Sequence, residues 1–230
     1  MNNKAVNLKT PLVALAFAGS LILSACSNSA PSQSASPDPA QSPVSQMPGM
    51  DHGSMNMNHG AMNMSLGPKD ENFDLRFIDA MTPHHEGAVV MAQEALQKSQ
   101  RPEIKQLAQS IIDAQKKEIA EMKQWRQAWY PKADATPMMY SAEMGHTMPM
   151  SNEVKSSMMM NMNLGAADNQ FDLRFIDAMI PHHQGAVTMA QEALEKSDRP
   201  EIKQLAQAII SSQQQEINQM QQWKKAWYGQ

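Results

Sequence analysis

Cysteine is all but missing: Cys26 is the single thiol in 230 residues, so no internal disulfide can close and the fold must be held by packing alone. Long apolar runs are also missing. The one stretch of note, Leu12 to Leu23, follows Lys4 and Lys9, and it is too short for a comfortable membrane span but has the length and charged start of a secretory leader. Positive charge is scarce as well. Losing Lys4 and Lys9 with such a leader leaves 17 basic against 23 acidic residues, a formal charge of −6. A negative chain with no Lys/Arg cluster lacks the electrostatic footprint of a nucleic-acid binder.

Leu23-Ser24-Ala25-Cys26 closes the leader, and it resembles the lipobox of bacterial lipoproteins, in which the cysteine is acylated and becomes the first mature residue. Residues 1–25 therefore read as a lipoprotein signal peptide, and export to the periplasm or cell surface on a lipid anchor at Cys26 is expected. Ser27 to Ser45 consists mostly of Ser, Pro, Ala and Gln, which offer too little apolar surface to offset the entropy of folding. Residues 26–70 read as a disordered tether.

Methionine is the residue in excess, 22 of 230. Met47, Met50, Met55, Met57, Met62 and Met64 lie with His52 and His59 among Gly, Asn and Ser, where no helical or strand period organises them. A second tract over residues 131–168 holds Met138, Met139, Met144, His146, Met148, Met150, Met158, Met159, Met160 and Met162. Methionine that fills a core belongs on an apolar periodic face, and these residues sit among turn-formers instead. Thioethers are soft, uncharged ligands that select Cu(I), and imidazole also suits copper. Neither needs to lose a proton at neutral pH, whereas a thiol does. Ag(I) is expected to bind for the same reason.

Between the tracts the chain is duplicated. Phe73 to Tyr130 matches Phe171 to Tyr228 at an offset of 98, with 43 identities in 58 positions. Within each copy the apolar spacing is helical: Phe77, Ile78, Met81, Ala88 and Met91 lie on a helix from Phe73 to Ser99. Arg101-Pro102 breaks it, and Pro102 opens a second helix through Ile104, Leu107, Ile111, Met122, Trp125 and Trp129. The repeats, residues 71–130 and 169–230, thus predict two helical hairpins. One hairpin has too narrow a core, and two packed together, within one chain or between chains, make an all-α four-helix bundle.

Asp-Ala-Met-Xaa-Pro-His-His occurs at Asp79 to His85 and at Asp177 to His183. Pro83 and Pro181 are expected to kink their helices at the histidines. At 3.6 residues per turn Met81 and His85 share a face with Ala88, while His84 falls on the flank. Met81, His84, His85, Met179, His182 and His183 are thus candidate soft-metal ligands: His85 with Met81, and His183 with Met179, point toward the core, His84 and His182 lie on the flank, and spacing leaves open which histidine of each pair ligates. The second helices carry Gln115 and Glu118, and again Gln213 and Glu216, within their apolar stripes. A buried carboxylate needs a partner: a metal ion, a histidine, or an arginine such as Arg76 or Arg174.

The block FDLRFIDAMIPHHQGA from Phe171, with AQAII from Ala206 and QQQEINQM from Gln213, resembles a bacterial helical family of long-uncharacterised function placed in the ferritin-like superfamily. The resemblance covers both repeats, about half of the chain. Paired with Met/His-rich linkers, it implies an extracytoplasmic copper-binding and detoxification protein rather than an enzyme. A metal-dependent oxidoreductase using iron or copper is the alternative. The ferritin-like di-iron pattern requires Glu-Xaa-Xaa-His pairs, yet Glu118 is followed by Glu121 and Glu216 by Gln219. Expected partners are copper ions, as Cu(I) or as Cu(II), with silver as surrogate, the membrane through the lipid, proteins that export or sense copper, and a second copy of the chain.

Overall fold

Two prolines set the architecture. In the computed structural model, which describes residues 65–160 and 162–230, helix α1 (Phe73–Lys98) stops one turn short of Pro102, and α2 (Pro102–Trp129) starts on it. The proline excludes its predecessor from helical backbone, and Arg101 is accordingly extended at φ −91°, ψ 125°. The buried Ser99 hydroxyl accepts the Arg101 amide at 3.1 Å and closes the corner. The second copy repeats this corner with Ser197, Arg199 and Pro200 between α4 (Phe171–Lys196) and α5 (Pro200–Tyr228). Both α1 and α4 continue through Pro83 and Pro181, the positions at which a kink is expected.

The hairpins pack against each other within the one chain, α1 antiparallel to α4, so the all-α bundle expected from the repeats is present. Its core is two clusters related by the internal duplication. Phe73, Phe77 and Met81 from the start of α1 meet Met189 and Ala193 from the end of α4, with Ile202 and Ile209 of α5. Phe171, Phe175 and Met179 meet Met91, Ala95, Ile104 and Ile111 in the mirrored arrangement. The bundle ends are latched across the hairpins: Arg101 stacks over Trp227 and Arg199 over Trp129, each 4.2 Å from the ring centroid. The same arginines reach Asp172 and Asp74. The tryptophans at the helix ends are thus packing residues.

The linker departs from expectation. From its sequence this Met-rich linker reads as disordered like the tether, yet β1 (Met138–Ser141) and β2 (His146–Pro149) form an antiparallel hairpin, with Met138 opposite Pro149 and Ser141 opposite His146. A short helix α3 (Asn152–Met159), capped by the Ser151 hydroxyl on the Val154 amide, follows it. What organises this segment is polar chemistry on α1. The fully buried Arg76 donates to the Leu66 and Pro68 carbonyls and to the Thr147 hydroxyl of β2. Asp79 accepts the Met138 amide of β1. Gly67, at φ +86°, lies where any Cβ would overlap the Tyr140 ring. The tether's residues before 65 lie outside the described part.

One consequence can be measured, because Asp79 and Asp177 are repeat mates in different surroundings. Asp79 is buried beneath the linker and paired with Arg126, whereas Asp177 is exposed and paired with Lys224. Removing the partner of a buried carboxylate typically costs about 3–5 kcal/mol, while exposed pairs are worth less than about 1 kcal/mol. Arg126→Ala should therefore shift the urea midpoint strongly and Lys224→Ala barely. Equal shifts would contradict the asymmetric burial.

Candidate metal centre

At mid-length, where α1 crosses α4, four histidines are buried. The His84 and His182 rings face each other with centroids 3.9 Å apart, and each lies about a turn's width from its own neighbour, 6.4 Å to His85 and 6.3 Å to His183. His84 was expected on the flank of α1. It is buried because α1 has partners on two sides, α2 within the hairpin and α4 across it, so adjacent positions on the helix both face protein.

His85 Nε2 and Glu118 Oε2 are 2.8 Å apart, and His183 Nε2 and Glu216 Oε2 are 2.7 Å apart. Of the partners weighed for the two glutamates, the structure supplies histidine. Arg76 and Arg174 are committed elsewhere, to the Leu66 and Leu164 carbonyls at 2.6 Å. A carboxylate acceptor places the proton on Nε2, so the neutral imidazole presents its Nδ1 lone pair. That Nδ1 is buried and without a hydrogen-bond partner in both His85 and His183. A carboxylate orienting one nitrogen while the other stands free is the usual second-shell arrangement around metal-bound histidine.

The central pair is electrostatically distinct. Burial, reinforced by the neighbouring imidazoles, holds His84 well below the ordinary histidine range. The same burial, with His183 adding to it, pulls His182 down to about 3. Both rings are neutral at physiological pH. The backbone carbonyl of Met159 in α3 accepts from His182 Nε2 at 3.1 Å, and both ring nitrogens of His84 lack partners. Gln115 and Gln213 each leave a buried side-chain oxygen unpaired nearby in sequence, one turn from the glutamates.

Met81 and Met179 are fully buried, one turn before His85 and His183, so each copy offers a thioether and an imidazole at neighbouring positions on one helix. Among the described residues no three His, Cys, Asp or Glu side chains converge as a ready ligand set. An oxygen- and nitrogen-only site for a hard or borderline ion is therefore not prebuilt, whereas an imidazole with a thioether suits a soft monovalent ion.

The other candidate ligands are dispersed. Met144 is 62% exposed at the β-hairpin tip and His146 is exposed beside it, with Nδ1 3.1 Å from the Met144 carbonyl. Met148 is half-buried and Met150 buried, so these four do not form one cluster. Met47, Met50, His52, Met55, Met57, His59, Met62, Met64 and Cys26 lie outside the described residues. The Met159 carbonyl was not foreseen. Its one signal in the sequence is Gly87, where an added Cβ would overlap that carbonyl.

The sequence matches the family described as Domain of unknown function (DUF305) over residues 25–126 and 74–224. The chain belongs to the DUF305 family. Among solved structures of similar proteins, CopM in its Cu(II)-bound form is 44% identical, over 67% of this chain and 97% of that one, with a TM-score of 0.54. CopM in its Cu(I)-bound form is 42% identical over the same shares, with a TM-score of 0.52. A DUF305 fragment from Deinococcus radiodurans is 28% identical, covering 67% and 95%, with a TM-score of 0.52. The chain also matches uncharacterized protein L153 of Acanthamoeba polyphaga mimivirus, 49% identical over 49 residues, and spans only 32% of that protein. No described helix is long and apolar enough to cross a membrane.

Proposed function

We propose that this DUF305 protein binds copper outside the cytoplasm, taking Cu(I), and Ag(I) as its surrogate, into the helix bundle for sequestration, trafficking and copper resistance. The observation that carries this is the pair of His–Glu couples, each with a buried histidine whose Nδ1 is bare and a buried methionine one helical turn before that histidine. The likeness to CopM, solved with Cu(I), Cu(II) and silver, supports it.

In this reading His85 with Met81, and His183 with Met179, are the core donors. Glu118 and Glu216 orient the imidazoles rather than touch the ion, and His84 and His182 stand between the two half-sites. The methionines and histidines of residues 47–64, together with Met144, His146, Met148 and Met150, are peripheral donors that gather the ion before it reaches the core. A lipid on Cys26 would hold the protein at the membrane, beside the exporters and sensors through which copper passes.

Selectivity tests the reading. Calorimetric titration with Cu(I), Ag(I), Cu(II) and Zn(II) should give the tightest binding for the two monovalent ions, because thioethers discriminate against borderline and hard cations. Equal affinity for Zn(II) and Cu(I) would remove the thioether argument.

A further inference from the structure

The duplication continues upstream of the helices. Met62-Asn63-Met64 and Leu66-Gly67 recur as Met160-Asn161-Met162 and Leu164-Gly165, still at the offset of 98. Where both copies are described, the approach to the bundle is the same. Leu66 and Leu164 are buried, and their carbonyls accept from Arg76 and Arg174, both at 2.6 Å. Lys196 reaches the Gly67 carbonyl at 2.8 Å and Lys98 the Gly165 carbonyl at 2.6 Å.

Upstream of Leu164 the chain has come from α3, which lies along α1. There it covers Gly87 and gives His182 Nε2 its acceptor, the Met159 carbonyl. The symmetry-related face belongs to α4, with Gly185, Pro181 and Asp177 in the places of Gly87, Pro83 and Asp79. The three on α1 are buried; on α4, Gly185 and Pro181 are half-buried and Asp177 is exposed. The histidine that this face should serve is His84, whose Nε2 is buried and unpartnered. A buried polar atom without a partner is costly, and its mate across the pseudo-two-fold has one.

We propose that this face of α4 is the docking site for the chain's own segment Asn56–Met64, with the carbonyl of Ala61 supplying His84 Nε2 its acceptor as Met159 does for His182. The reach is matched: Ala61 precedes Ser65, at the start of the described chain, by as many residues as Met159 precedes Asn163. The described chain also begins against α4, since the Leu66 amide donates to the Glu192 carboxylate at 3.3 Å. Docking puts Met62 and Met64 on the bundle at the places of Met160 and Met162, so the first methionine tract meets the central histidines rather than trailing free. It does not rest on copper binding, and its test is run without metal.

Hydrogen–deuterium exchange on the full chain should find the amides of residues 61–64 protected like those of 159–162. Gly185→Trp, at a half-buried position of this face, should raise their exchange by about tenfold or more and leave the helices unchanged. As a second arm, Asn56–Met64 is replaced by a Gly/Ser segment of equal length, and the nitrogen resonances of His84 are followed; loss of the hydrogen-bonded Nε2–H signature is expected while helical circular dichroism stays the same. Free-chain exchange of 61–64 in the native protein, indifference to Gly185→Trp, an unchanged His84 signature, or protection that appears only as protein concentration rises, meaning a second copy's segment, would each overturn the proposal.

Discussion

Acidifying the metal-free protein from pH 7 to pH 4 should cost it about 3 kcal/mol through His182 alone, at 1.4 kcal/mol for each pH unit below the ordinary histidine value. His182 holds its proton only below about 3 in the fold, whereas in the unfolded chain it titrates near 6.5. Between those values the unfolded state binds a proton that the folded state refuses. Stability is therefore full above about 6.5 and falls as the pH drops toward 3. His84 is shifted in the same direction by the same burial and steepens the loss. Asp79 works in the opposite sense, because burial raises its carboxyl and protonation there favours the fold, but only near and above the ordinary carboxylate range.

Urea titrations from pH 7 to 4, followed by helical circular dichroism, measure the slope. His182→Phe keeps a ring against His84 and removes one titrating group, so its stability should depend less steeply on pH, with the Asp79 contribution cancelling in the comparison. The same slope in both proteins would mean that His182 is not the group being protonated.

The bundle was legible because its determinants are local and repeated. Pro102 and Pro200 announce the corners, and the apolar stripes announce the helices. Glu118 and Glu216 were legible as anomalies, polar residues in an apolar stripe, although spacing alone could not choose among a metal, a histidine and Arg76. Geometry chose histidine because Arg76 is drawn away to the Leu66 and Pro68 carbonyls.

Two features were not legible. The burial of His84 depends on α4 crossing α1 at that residue, a tertiary fact that a helical wheel of one helix does not contain. The folding of the 131–168 linker depends on Arg76 and Asp79 using hydrogen-bonding capacity that Arg174 and Asp177, identical in type and local context, spend differently. Near-identical repeats gave no sign that α1 would be covered by a hairpin and α3 that have no counterpart among the described residues on α4. That asymmetry also makes the two central histidines inequivalent.

Removing the two imidazoles whose Nε2 is held by a glutamate and whose Nδ1 is free should abolish the buried soft-ion site. His85 and His183 belong to separate His–Glu couples on different helices, so His85→Ala and His183→Ala should each remove half of the tightly bound silver and the double variant all of it, as read by competition titration with Ag(I). The glutamates predict a different signature. If Glu118 and Glu216 act by holding Nε2, then Glu118→Gln and Glu216→Gln keep a hydrogen-bond acceptor of the same size and lose only its charge. Outer-shell partners of this kind are typically worth about 10–100-fold in metal affinity. Those variants should weaken binding by that much with the stoichiometry intact. Loss of stoichiometry in Glu118→Gln would instead make the carboxylate a direct ligand, and unchanged silver binding in the His85→Ala, His183→Ala double variant would move the site out of the bundle to the peripheral methionines. Helical circular dichroism of each variant separates these outcomes from loss of fold, and the split between affinity and stoichiometry separates the residue that touches the ion from the residue that aims it.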